Sequence, residues 1–168
     1  MTGTGDPLVV HTPSDREIVL SRLFDAPAHL VFAAFTEPKL LIRWYGARGW
    51  RLAECDVDLR VGGRWRFVSL GPQGARMVQA GLYRQIEPPH RLVCTELFDN
   101  QSYPGETLVS HEFTELAGRT TVTTTLRYAT PQGRDTVLRY PMARGLGQSF
   151  TRLAELLHET TTMRGEQP

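Results

Sequence analysis

Residues 140–157, YPMARGLGQSFTRLAELL, decide how the chain is read. Met142, Leu146, Phe150, Leu153 and Leu157 fall on successive turns of one helical face, and Leu156 widens the stripe. Arg144, Gln148, Arg152 and Glu155 fall largely on the other sides. Gly145 and Gly147 interrupt the pattern, and each should weaken an isolated helix by roughly 1 kcal/mol relative to Ala. A helix that tolerates both is held by its neighbours. Its small residues either let another backbone approach or leave space beside it, so this helix is expected to form one wall of a cavity.

Working back from the helix, Pro141 should interrupt a helical region that opens at Thr130-Pro131. Upstream, residues 51–128 alternate like an antiparallel meander. The cleanest period of two is at 51–59, with Ala53, Cys55, Val57 and Leu59 on one side and Glu54, Asp56 and Asp58 on the other. A strand carrying Trp65, Phe67 and Ser69 on one face follows the Gly62-Gly63 turn, and Gly71-Pro72-Gln73-Gly74 turns into a strand over 76–86. Gly81 within it signals a bulge or the close approach of another group. Pro88-Pro89 ends that strand, 92–98 forms the next, and 108–116 pairs with 120–128 around Ala117-Gly118-Arg119.

Before the meander, residues 16–24 form the first strand, and Asp25-Ala26-Pro27 begins a short helix burying Leu30, Val31, Ala34 and Phe35. Thr36-Glu37-Pro38 begins a second, with Thr36 as a candidate cap, and Gly46 ends it. The expected domain plan is a loose arm over 1–14, one domain over 15–160 and a flexible tail over 161–168. The expected fold class is α+β: a sheet with one apolar face, capped by a single long helix, must bury the two surfaces against each other. If the sheet curls, a pocket is left between them.

Composition narrows the function. A net charge of +1 gives no field to hold phosphate backbones or anionic lipid, so neither nucleic acid nor membrane insertion is expected. Lys39 is the single lysine, a bias that carries no function by itself. Cys55 and Cys94 form no CxxC motif or disulfide framework and read as buried free thiols. With no secretory leader pattern and no span-length apolar run, the chain is expected to be cytoplasmic. A homodimer stays open.

The strand ending in Phe24-Asp25-Ala26-Pro27, the segment Phe35-Thr36-Glu37-Pro38 leading to Trp44-Tyr45, and Asp58-Leu59-Arg60-Val61-Gly62-Gly63 carry a family resemblance. Gly81-Leu82-Tyr83, the run from Ile86 through Pro88-Pro89-His90-Arg91 to Val93, and the terminal helix complete it, in order, over about residues 16–158. The chain resembles the SRPBCC (START/Bet v 1-like) superfamily, within the group named for homology to the activator of Hsp90 ATPase. Where many relatives have two tryptophans after the second short helix, this chain has Trp44-Tyr45. The resemblance implies a helix-grip fold: a curved antiparallel sheet wrapped around a long C-terminal helix, with two short helices after the first strand and a cavity inside. It implies no one chemistry, because the superfamily includes hydrophobic-ligand carriers, cyclases, resistance proteins and chaperone-activating domains.

Within such a cavity Trp44, Tyr45, Trp65 and Phe67 are candidates to stack on a flat ligand, with core packing the rival reading. Tyr83 and Tyr128 are candidate inward hydroxyls. His111, in phase with Val109 and Phe113, points inward either as a core histidine or as an acid–base group. Glu96, in phase with Leu92, Cys94 and Phe98, needs a partner or a raised pKa if buried, and Arg144 or Gln148 could supply that partner. Met142, Leu146 and Phe150 complete the helix wall. Gly147-Gln148-Ser149-Phe150 lacks the second glycine of a nucleophile elbow, Gly145-Leu146-Gly147 is no dinucleotide fingerprint, and the five histidines show no zinc spacing. The acidic row Glu54, Asp56, Asp58 reads as a solvent-facing strand rather than a calcium site. No metal and no cofactor are expected. The leading expectation is binding of a small apolar or aromatic molecule. Behind it come a cyclase- or hydrolase-type enzyme using Glu96, His111 or Tyr128, and an Hsp90-type chaperone interaction.

Overall fold

A computed structural model describes residues 7–165, and side chains as far as 163. Its strands are β1 (Val9–His11), β2 (Glu17–Phe24), β3 (Arg51–Val57), β4 (Arg64–Leu70), β5 (Arg76–Glu87), β6 (Arg91–Phe98), β7 (Thr107–Leu116) and β8 (Arg119–Arg127). Its helices are α1 (Ala28–Thr36), α2 (Pro38–Trp44), α3 (Pro131–Leu138) and α4 (Met142–Gly165). The strands form one sheet in the order β1-β2-β8-β7-β6-β5-β4-β3, every neighbouring pair antiparallel. The helix-grip architecture read from the sequence is the one the chain adopts. Among the described residues no helix is long and apolar enough to cross a membrane.

The anchor of α4 is its second half. Phe150, Leu153, Leu156 and Leu157 are buried, and Phe150 meets the Phe24 ring of β2 edge-on at 5.8 Å. Its first half is less tightly covered: Met142 and Leu146 are only partly buried beside Tyr128. This is where the two glycines sit. A Cβ on Gly147 would meet nothing, and one on Gly145 only the Ala47 methyl at 3.7 Å, so these small residues leave space rather than admit a backbone. Gly147→Ala should therefore raise stability by about 0.5–1 kcal/mol, shifting the thermal midpoint upward by about 1–4 °C. A melting curve showing destabilisation would mean that the space is used.

Several sequence expectations are corrected. The arm over 1–14 is structured in part, since Val9, Val10 and His11 pair with β2 as an exposed edge strand; residues 1–6 lie outside the described part. The tail is likewise helical as far as Gly165, because α4 runs on past the apolar stripe. Thr36 does not cap α2. Its hydroxyl donates back to the Phe32 carbonyl at 3.0 Å, and Glu37 occupies the cap position. In β3 the alternation breaks at a bulge between Leu52 and Glu54, so Leu52, not Ala53, joins Cys55 and Val57 on the inner side. Thr130 does cap α3, its hydroxyl accepting from the Gly133 amide at 3.0 Å.

Candidate functional site

The core is solid on one side and hollow on the other. Where α1 and α2 lie against the sheet, Phe32, Phe35, Trp44 and Phe113 interlock with ring centroids 5.0–5.4 Å apart. Between the first half of α4 and the inner face of β4 to β8, a cavity of about 730 Å³ remains open, a size in the range of small-molecule sites. The period of two builds its sheet wall: Trp65, Phe67 and Ser69 from β4, Gln79 and Tyr83 from β5, Cys94, Glu96 and Phe98 from β6, His111 from β7.

Eleven of the twelve candidate residues line this cavity: Trp44, Tyr45, Trp65, Phe67, Tyr83, Glu96, His111, Tyr128, Met142, Leu146 and Phe150. Phe113 does not. It is buried in the solid side against Phe32 and Phe35, because α1 covers that end of β7. Trp44 backs the wall rather than offering a face: it is 1% exposed, packs on Phe35 and Phe150, and its indole N–H donates to the Ala34 carbonyl at 2.9 Å. Trp65 is tied similarly, donating to the Thr95 carbonyl at 3.1 Å. Tyr128 packs edge-on to Tyr103 at 5.7 Å.

The polar centre is a side-chain chain of three. The Gln79 amide, 2% exposed, donates to the Tyr45 phenol oxygen at 2.8 Å and to Glu96 Oε2 at 3.0 Å. Burial pushes the Glu96 carboxyl up to about 7, against the opposing pull of the Gln79 hydrogen bond. The expected helix partners do not reach it. Arg144 is exposed, and Gln148 instead accepts from the Arg48 amide at 3.1 Å. Burial, and next the Glu96 charge, raise the Tyr45 phenol above its ordinary value. Burial lowers His111 to about 4, so it is a neutral imidazole near pH 7, with Nδ1 2.8 Å from the Thr124 hydroxyl. Burial also raises the Tyr83, Tyr128 and Cys94 protons. Cys55 and Cys94 are both free. Ser69 Oγ, in a residue 1% exposed, has no hydrogen-bond partner.

The helix also fixes one rim. Ser149 Oγ accepts from the Gly46 amide at 3.1 Å, and the Arg152 guanidinium donates to the carbonyls of Gly46 at 2.9 Å and Trp50 at 3.3 Å. Gly46, Ala47 and Trp50 are thereby held as lining residues. Gln79, Ser69, Trp50 and Tyr103 are lining residues that the sequence reading did not single out as site candidates. Gln79 shares the inward phase of Tyr83 and was there to be found, whereas Trp50 and Tyr103 lie in loops that no periodicity places. Among the described residues no cluster of metal-ligating side chains is present.

Comparison with known proteins gives the family and the fold. The family described as "Activator of Hsp90 ATPase homolog 1-like protein" matches over residues 25–158. A crystal structure of a protein from Rhodobacter sphaeroides is similar at 34% identity and a TM-score of 0.86, covering 92% of this chain and 99% of that one. A Nitrosomonas europaea protein is similar at 27% identity and a TM-score of 0.80, covering 90% and 99%. An Hsp90 activator from Plasmodium falciparum shares the fold at 24% identity and a TM-score of 0.52, covering 67% and 72%. No curated protein matches.

Proposed function

The chain belongs to the family of Activator of Hsp90 ATPase homolog 1-like proteins, and on that premise we propose that it takes a small, largely apolar and aromatic molecule into the cavity between sheet and α4. One observation carries this reading: about 730 Å³ inside the fold is left unfilled by the described side chains, behind aromatic walls. Affinity comes mainly from removing apolar surface from water, at roughly 25 cal/mol per Å² before the costs of association are deducted. The Tyr45, Gln79 and Glu96 group sets orientation.

The test is a fluorescence titration with 1-pyrenemethanol, a neutral four-ring probe. Saturable micromolar binding is expected, and Leu146→Trp, which fills the space from the helix side, should weaken it at least about tenfold while the thermal midpoint holds or rises. Met142→Trp on the same wall serves if that variant misfolds. Binding that survives both fillings would place the guest elsewhere.

A second reading, acid–base chemistry in the same cavity, is favoured by Glu96, His111 and Tyr128 lining one space. None of the three is hydrogen-bonded to another, so the substrate would have to bring them together. Absence of turnover with aryl esters and cyclisable polyketone substrates would sink it. The relative named as an Hsp90 activator makes pull-down with purified Hsp90 the check on a chaperone role.

A further inference from the structure

The cavity has a sign. None of the described lysine and arginine side chains lines it, although the chain carries 19 of them, whereas Glu96 sits on its wall and Asp99 at its rim. The other groups facing Glu96 bring no positive charge. Gln79 comes from β5, Cys94 from β6, Tyr45 from beyond α2, Tyr103 from the loop after β6 and Tyr128 from just beyond β8. All are neutral at pH 7, as is His111. Only one oxygen of Glu96 is engaged, by Gln79, which leaves Oε1 without a hydrogen bond. Three tyrosines, Tyr45, Tyr103 and Tyr128, stand close enough to feel the charge of this carboxyl, and all three line the same cavity. A carboxylate with a vacant oxygen among electron-rich aromatic faces is the environment that a cation replaces water in at least cost.

We infer that the guest is an amphipathic organic amine: an aromatic or apolar body carrying an ammonium group that pairs with Glu96 Oε1. This rests on the cavity-binding reading above and narrows it. An anionic guest would meet Glu96 with no compensating base, and a neutral one would leave the carboxylate to be desolvated unpaired. Burial raises the Glu96 carboxyl to about 7, so a cationic guest must bind more tightly as pH rises through that value. A guest accepting a hydrogen bond from protonated Glu96 would show the reverse trend.

The experiment compares three probes on one ring system, 1-pyrenemethylamine, 1-pyrenemethanol and 1-pyrenecarboxylate, titrated into the full chain and into Glu96→Gln. Near pH 8 the amine should bind about tenfold more tightly than the alcohol, with the carboxylate weakest. Near pH 5.5, and in Glu96→Gln at either pH, that advantage should fall to about twofold or less. Equal binding of amine and alcohol near pH 8, or an amine preference that survives Glu96→Gln, overturns the inference and leaves cavity binding standing. Failure of all three probes to bind removes both.

Discussion

Gly81→Ala is expected to lower stability by about 3 kcal/mol, which for a chain of this size moves the thermal midpoint down by about 6–12 °C. Gly81 lies opposite Trp65 on β4, and the Trp65 indole reaches across to donate to the Thr95 carbonyl on β6. A Cβ at Gly81 would be driven into the Thr95 carbonyl oxygen and would stand 2.8 Å from Trp65 Nε1. Both obstacles are held from two sides, so relief requires parting β5 from β6 or giving up the indole hydrogen bond. The damage should reach the cavity, because Trp65 and Phe67 pack together at 4.9 Å on its wall. Thermal denaturation of the variant measures the loss, and a midpoint within about 2 °C of the parent would show that the strands yield there.

The second large effect is tied to pH. Glu96 binds its proton more tightly folded than unfolded, with a folded value of about 7 against an ordinary 4.5. Between those values the native state holds more protons than the unfolded chain, so stability falls as pH rises. Below about 4.5 both states are protonated and Glu96 costs nothing; above about 7 the full penalty applies, on the order of 3 kcal/mol. Glu96→Gln removes the titration while keeping an acceptor for Gln79. The variant should match the parent near pH 4 and exceed it by up to about 3 kcal/mol near pH 8. Urea titrations across that range decide it: a parent and variant that differ by a constant amount would mean that the carboxyl is wetter than its surroundings suggest.

What could be read from the chain follows from which forces leave periodic marks. The stripe from Met142 to Leu157 and the alternation of Trp65, Phe67 and Ser69 are written in residue type, because one face must be apolar, and they sufficed for the architecture. The bulge in β3 left no such mark: Ala53 is as acceptable outside as inside, and only pairing with β4 moves Leu52 to the core. Phe113 carried the right phase but the wrong depth, since phase says which face a residue takes and not whether a helix closes over it. Arg144 on the helix is the partner the sequence offers Glu96, because arginine is the usual counterpart of a carboxylate. The fold uses a neutral amide from the adjacent strand instead, and Gln79 has the alternation that would have shown it. Residues 9–11 join the sheet through backbone bonds that exposed Val9 and Val10 do not advertise.

The ties from Ser149 and Arg152 to Gly46 and Trp50 bear on traffic. A rim stitched to the long helix by three hydrogen bonds cannot swing aside without breaking them together, so that edge serves as a hinge post and not as a door. A guest of the proposed kind would then enter past residues 100–103 and Pro141, which line the same cavity and beside which Tyr140 is 60% exposed.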